Sequence, residues 1–193
     1  ESSGHRQATY LNILSQLKNA GDWQGELTDY HKNGTSIPLW LHITAVVNHD
    51  EHIVHYVGIV SDLSQRKEAE EKLKYLANYD RLTGLANRNL FHDRLHSAIS
   101  KGRDQSTGFA IIHIDLDRFR TLNDSLGHEV GDNLLKRVAE RITHTISNAN
   151  TVARLGSDEF ALIIDQTTDH KVIENFCESI IDQLRKPFKI NEH

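Results

Sequence analysis

Two acidic clusters in this chain have the types and spacing to hold a hard cation. One is Asp158-Glu159, which follows Gly156-Ser157 and sits between apolar runs at 152–155 and 160–164. Small residues and acids between two strand-like runs read as a tight β-hairpin turn that lifts its carboxylates to the tip. The other cluster is Asp115 and Asp117, at the end of the apolar stretch 109–114. Residues i and i+2 of a strand share a face, so these two carboxylates are expected to point the same way. Carboxylates from a strand end and a hairpin suit Mg²⁺, which takes oxygen ligands and usually only one or two carboxylates. Together they make the two-acid layout of metal-dependent phosphoryl transfer. Taken singly, each acid is also what a solvated turn or strand end looks like.

Helices must brace that strand and hairpin. Asn87 can cap a helix whose apolar face is Phe91, Leu95, Ala98 and Ile99. Val130, Leu134, Val138 and Ile142 form a second such face, and Val172, Phe176, Ile180 and Leu184 a third. Pro187 stops the third helix, and Phe188-Lys189-Ile190 reads as a strand just starting.

The first third of the chain has a different pattern. Leu11, Ile13, Leu14 and Leu17 predict a short amphipathic helix over 9–20, closed by Gly21. Three strands follow, at 25–31, 37–43 and 53–60, with Asn33-Gly34 as the hairpin signal between the first two. Ile37, Leu39, Leu41 and Ile43 alternate with Pro38, Trp40, His42 and Thr44, the pattern of a half-buried strand. His49, His52 and His55 have tempting spacing for a metal, but i and i+3 face opposite ways on a strand, so they read as turn or solvated histidines.

Asp62-Leu63-Ser64-Gln65 reads as a capping box, with Asp62 as N-cap. The helix after it offers the i,i+4 pairs Glu68–Lys72 and Glu70–Lys74 and a thin apolar stripe of Ala69, Leu73 and Leu76. Such a stripe suits a two-helix seam with a twin chain, or simply a solvated connector.

The 193 residues suit one or two domains, and 38% hydrophobic with 25% charged residues fits a soluble globular chain. A net charge of −5 leaves no basic footprint for general nucleic-acid binding. A single cysteine, Cys177, excludes a disulfide framework or a cysteine metal cluster and fits a reducing cytoplasm. No apolar run reaches the roughly 18–20 residues of a membrane helix, and no signal peptide opens the chain. There is no methionine at all, so the chain is read as a piece of a longer protein, one that a membrane segment elsewhere could anchor.

Four blocks carry a family resemblance. Asp80-Arg81-Leu82-Thr83-Gly84-Leu85-Ala86-Asn87-Arg88 resembles the opening of a GGDEF, or diguanylate cyclase, domain. The runs from Asp115 to Asp124 and from Gly127 to Asp132 resemble its next two blocks, and Gly156-Ser157-Asp158-Glu159-Phe160 resembles the signature itself. The helix and antiparallel meander before Asp80 resemble the C-terminal half of a PAS sensor domain. The resemblance implies an α/β (α+β) chain in three parts. Residues 1–62 would be a partial PAS-like sheet, 63–79 a signalling linker helix, and 80–193 a nucleotidyl-cyclase, palm-like βαββαβ domain lacking its last elements.

By the same resemblance, two GTP condense into cyclic di-GMP, one held by each domain of a dimer joined through the linker helix. Asp115, the Leu116 carbonyl, Asp158 and Glu159 are implied to bind Mg²⁺ or Mn²⁺. Glu159 alternatively assists deprotonation of the attacking 3′-hydroxyl, with Asp158 as the other catalytic acid. Asn123 and Asp132 are implied to read guanine, since an amide and a carboxylate match its acceptor and donor edge. Alone, Asn123 is a turn-favouring residue, and Asp132 a first-turn acid complementing a helix dipole. Amides around Phe119 and Arg120, with Gly156 and Ser157, complete the substrate site.

Two departures from the family pattern stand out. Ser157 replaces the signature's second glycine, and a positive φ there would cost roughly 1–2 kcal/mol and crowd the nucleotide. Ser147 and Asn150 replace the Arg-x-x-Asp product-inhibition pair, so no inhibition site is expected. The stretch from Asn89 to Leu95 and Lys186-Pro187-Phe188 resemble GGDEF domains fused to an EAL phosphodiesterase. The alternative function is therefore a degenerate GTP-binding domain that regulates such a partner.

Overall fold

The computed structural model describes residues 2–50, 52–105, 108–145, 151–165, 167 and 169–190. The chain divides into two compact units, residues 1–72 and 73–193.

The first unit is a helix and a three-stranded antiparallel meander. Helix α1 (Ser2–Ala20) leads into β1 (Asp22–Tyr30), β2 (Ser36–Val47) and β3 (Ile53–Asp62), in sheet order β1-β2-β3. The Asn33-Gly34 turn closes as expected: the His31 amide donates to the Thr35 carbonyl at 2.8 Å, and Gly34 takes the positive φ of 86° that glycine tolerates. On α1 the buried pair is Ile13 and Leu17, four residues apart, while Leu11 and Leu14 are exposed. The apolar stripe is thus narrower than the leucine spacing suggests. All of β3 is exposed, including Val54, Tyr56, Val57, Ile59 and Val60.

Helix α2 (Ser64–Asn78) begins one residue later than a cap at Asp62 would require. Leu63 is its N-cap, its carbonyl accepting from the Lys67 amide, while the Asp62 carboxylate accepts from the Ser64 amide at 2.7 Å. The Ser64 hydroxyl first, and then this amide bond, hold the Asp62 carboxyl below its ordinary value. Along α2 an ion pair joins Arg66 to Glu70 at 2.9 Å, where the sequence suggests Glu68–Lys72 and Glu70–Lys74.

The second unit is a sheet with helices on both faces. It contains α3 (Arg88–Gln105), β4 (Phe109–Asp115), α4 (Phe119–Leu126), α5 (His128–Thr145), β5 (Thr151–Arg154), β6 (Glu159–Asp165) and α6 (His170–Arg185). The strand order is β4-β6-β5, antiparallel throughout. Alternation along β6 splits the core. Phe160 and Leu162 pack with Phe119, Leu135, Val138, Ile142 and Ile180 from the helices of one face. Ala161 and Ile163 pack with Ala153, Ala86, Phe91 and Ala98 on the α3 face. Burying each large apolar side chain contributes about 1.5–3 kcal/mol, so β6 is the spine of this unit.

The expected caps and faces mostly form. Asn87 caps α3, its Oδ1 accepting from the Leu90 amide at 3.1 Å. Val172 is exposed rather than packed, because α6 buries Ile180 and only the flank toward Phe176 and Leu184. Residues 187–190 join no sheet, although Ile190 is buried. Beyond α6, Arg141 donates to the carbonyls of Gln183, Lys186 and Pro187 and lies 3.5 Å over the Phe188 ring.

Arg118 is the residue before α4 and holds φ 60°, the one non-glycine positive φ among the described residues. A left-handed L-residue costs about 1–2 kcal/mol, part of which a glycine returns through its own chain entropy. Arg118→Gly is therefore expected to raise stability by roughly 0.5–1 kcal/mol. A urea midpoint shifted upward at constant slope would register it, and a lower midpoint would show that the arginine side chain has a compensating partner.

Candidate active site

Antiparallel pairing sets Asp115 directly opposite Glu159 at one end of β4 and β6. Directly opposed residues project to the same face of a sheet, here the face that α3 covers. The Leu116 amide donates to the Asp158 carbonyl at 3.2 Å, which ties the end of β4 to the hairpin turn. Asp115, Leu116, Asp158 and Glu159 therefore gather at one sheet end. Asp117 does not join them as expected: β4 stops at Asp115, and Asp117 lies in the turn beyond it, where strand alternation no longer holds.

These donors fit a hard divalent ion. They are carboxylate and carbonyl oxygens, with Asp115 exposed and Asp158 and Glu159 half-buried. The Leu116 carbonyl accepts only a long 3.3 Å bond from the Phe119 amide and keeps a second lone pair. No three His, Cys, Asp or Glu side chains converge among the described residues, which covers His49, His52 and His55 as well. Of the three carboxylates at this sheet end, two together with the Leu116 carbonyl make the sparse set that suits Mg²⁺ retaining several waters.

The hairpin turn, residues 155–158, is closed by the Leu155 amide on the Glu159 carbonyl at 2.8 Å and clasped by two arginines. Arg154 donates through Nη2 to the Ser157 carbonyl at 2.7 Å, and its Nη1 reaches both Asp80 oxygens at 3.1 and 3.3 Å. The Thr83 amide and hydroxyl also donate to Asp80 Oδ1, at 2.9 and 2.7 Å. Burial pushes the Asp80 carboxyl up, but the Thr83 bonds and the Arg154 guanidinium outweigh it and hold the group below its usual value. From the start of α3, Arg88 donates through Nε to the Leu155 carbonyl at 3.1 Å and approaches Glu159 Oε2 at 3.5 Å. The Glu159 carboxylate also lies over Gly156, where a Cβ would sit 3.0 Å from Oε2.

Ser157 departs from the expectation of strain, because neither it nor Gly156 has a positive φ. Its effect is chemical instead: the Oγ hydroxyl donates to Asp158 Oδ1 at 2.5 Å. One oxygen of a candidate metal ligand is thus engaged by its neighbour. Ser157→Gly is expected to lower the Mg²⁺ concentration for half-saturation about fivefold, the value of one ordinary net hydrogen bond of about 1 kcal/mol. A magnesium titration followed by calorimetry reads this directly; an unchanged midpoint would mean that the hydroxyl simply rotates away.

The remaining candidates lie in the corner between α4 and α5. Phe119 is buried in the core, and Arg120 is exposed one residue into α4. Asn123 points its Oδ1 at Gly131, the residue before the exposed Asp132. Ser147 and Asn150 lie outside the described residues. Sequence reasoning assigned no role to Arg88, Arg154 or Gly131. All three stand inside or beside the quoted motifs, and an arginine flanking an acidic turn was the available signal.

The family described as "Diguanylate cyclase, GGDEF domain" matches residues 77–193. The cyclic di-GMP phosphodiesterase NbdA of Pseudomonas aeruginosa is 36% identical over 129 residues, covering 67% of this chain and 16% of that protein. The signaling protein YkoW of Bacillus subtilis is 32% identical over 169 residues, covering 87% of this chain and 20% of that protein. The chain thus spans a fifth or less of these relatives. Among solved structures, the coiled coil and GGDEF domain of DgcB from Caulobacter crescentus, in complex with c-di-GMP, superposes with a TM-score of 0.61. It is 28% identical, with 67% of this chain and 68% of that one covered.

Proposed function

This chain belongs to the GGDEF (diguanylate cyclase) domain family, and we propose that residues 80–193 serve in condensing two GTP into cyclic di-GMP. The observation that carries this is the register of Asp115 against Glu159, with Asp158 tied to the same sheet end. Asp115, Asp158 and the Leu116 carbonyl would hold Mg²⁺ or Mn²⁺, with Glu159 as a further ligand or as the base. When bound, the ion neutralises charge on the α-phosphate and the leaving pyrophosphate. In the role of base, Glu159, whose carboxylate Arg88 approaches at 3.5 Å, would take the proton of the attacking 3′-hydroxyl. Asn123 and Asp132 orient guanine, and the backbone at Phe119, Arg120, Gly156 and Ser157 accommodates the phosphates.

Each domain holds one nucleotide, so the condensation needs two chains face to face. Helix α2 has no buried residue, and Leu73 is exposed on its stripe, which supports pairing with a second copy. Residues 1–62 would act as a PAS-type input and 63–79 as the linker that relays it, in the cytoplasm. The sheet of residues 22–62 supports this assignment by its meander order.

A second function is favoured by a specific observation, the Ser157 hydroxyl on Asp158. With one metal-ligand oxygen occupied, the domain would bind GTP without turnover and regulate a downstream EAL phosphodiesterase. One experiment separates the two. The full-length protein is incubated with GTP and Mg²⁺, products are resolved by chromatography, and GTP binding is measured by calorimetry. Cyclic di-GMP supports the cyclase; binding without product supports regulation; neither overturns both.

A further inference from the structure

Gly131 is the fourth residue of α5, where its backbone is ordinary helix and needs no glycine. Alanine is the better helix former at such a position, so the glycine has to be explained by what lies beside it. What lies there is Asn123. A Cβ built on Gly131 would overlap the Asn123 amide oxygen, approach its Cγ at 2.9 Å and press the Phe119 Cζ at 3.2 Å. The Asn123 Oδ1 is fully buried in this notch and has no hydrogen-bond partner among the described residues. The vector that would carry a Cβ is, in glycine, a Cα–H aimed at that oxygen, the geometry of a weak C–H···O contact.

An amide whose oxygen is seated inward presents its Nδ2 outward. On the assignment of Asn123 and Asp132 as base readers, that Nδ2 supplies a donor and the Asp132 carboxylate, on the residue after Gly131, an acceptor. A donor next to an acceptor matches the guanine edge, whose carbonyl accepts while its ring N–H and amino group donate. Adenine presents the opposite order. We propose that Gly131 is a specificity-determining positioning residue: its bare Cα is the seat that fixes the Asn123 amide for guanine. This rests on the assignment of Asn123 and Asp132 as base readers.

Placing a methyl group in the seat has a defined consequence. The Asn123 side chain ends in a free rotor and swings away, while the helix gains a better former. The fold therefore survives and the recognition does not. The test compares Gly131→Ala with the unaltered protein for binding of GTP, ITP and ATP by calorimetry. In the unaltered protein GTP binds more tightly than ATP. In Gly131→Ala, GTP affinity falls about tenfold, the scale of one lost hydrogen bond, while ATP affinity stays the same. ITP, which lacks the 2-amino group, falls with GTP, because the Asn123 bond to its carbonyl is lost too. Asn123→Ala and the double variant close a cycle: a glycine that acts through Asn123 makes the double variant no weaker than Asn123→Ala alone. Circular dichroism melting of Gly131→Ala at or above the unaltered midpoint excludes loss of fold as the cause. Unchanged GTP affinity in Gly131→Ala, or additive losses in the cycle, overturn the role of Gly131 while GTP binding by the unaltered protein stands. Equal affinity for GTP and ATP in the unaltered protein overturns the base-reader assignment itself.

Discussion

Asp158→Ala is expected to reduce Mg²⁺-dependent formation of cyclic di-GMP by about a thousandfold, to background. That factor corresponds to about 4 kcal/mol of charge stabilisation at the reaction centre, the upper end for one such group. Asp158 sits in the turn beside β6, where the Leu116 amide holds its carbonyl and the Ser157 hydroxyl holds Oδ1. Neither bond supports the core, because the buried residues of β6 begin at Phe160. The substitution should therefore leave the melting temperature within a few degrees of the original. Calorimetry with Mg²⁺ alone should also lose its saturable isotherm, a readout independent of turnover. Retained magnesium binding with lost product would move the ion to Asp115 and Glu159 and leave Asp158 an orienting role.

Asp80→Ala is expected to cost about 3 kcal/mol of stability, near the low end for breaking a buried pair from one side. The pair is mostly shielded, with 23% exposure for the Asp80 side chain and 13% for Arg154. Removing the carboxylate strands the guanidinium and orphans both Thr83 donors. The same linkage gives a pH signature. The folded-state value of Asp80 lies below its unfolded value of about 3.9, so its contribution is full above that pH. It is lost as pH falls through the folded-state value. Asp80→Asn should accordingly flatten the decline in urea midpoint below about pH 4, while lowering the midpoint at pH 7. Parallel curves for the two proteins would show that other carboxylates govern acid unfolding.

The elements that carry the site were legible in sequence because they are local and periodic. The Phe109–Asp115 strand, the hairpin at 155–158 and the Asn87 cap each follow from residues within a few positions of one another. What stayed hidden is long-range. Arg154 reaches Asp80 across 74 positions and Arg88 reaches Leu155 across 67, and no period encodes such reach. Asp117 was misplaced because alternation cannot say where a strand ends. The burial of Ile13 rather than Leu11 and Leu14 depends on how α1 meets its sheet, which a helical wheel does not contain. Whether Ser157 strains the turn depends on its φ, which sequence does not carry; the backbone there has no positive φ, and the hydroxyl bonds to Asp158.

The way the hairpin is held also separates shape from chemistry under mutation. The carbonyls of Leu155, Ser157, Asp158 and Glu159 all accept hydrogen bonds, from Arg88, Arg154, Leu116 and Leu155. Every residue type supplies a carbonyl, so this grip does not sense which side chain the turn carries. A substitution at 157 can therefore retune or silence the site while the loop keeps its form. Shape alone would not distinguish a working copy of this domain from a lapsed one.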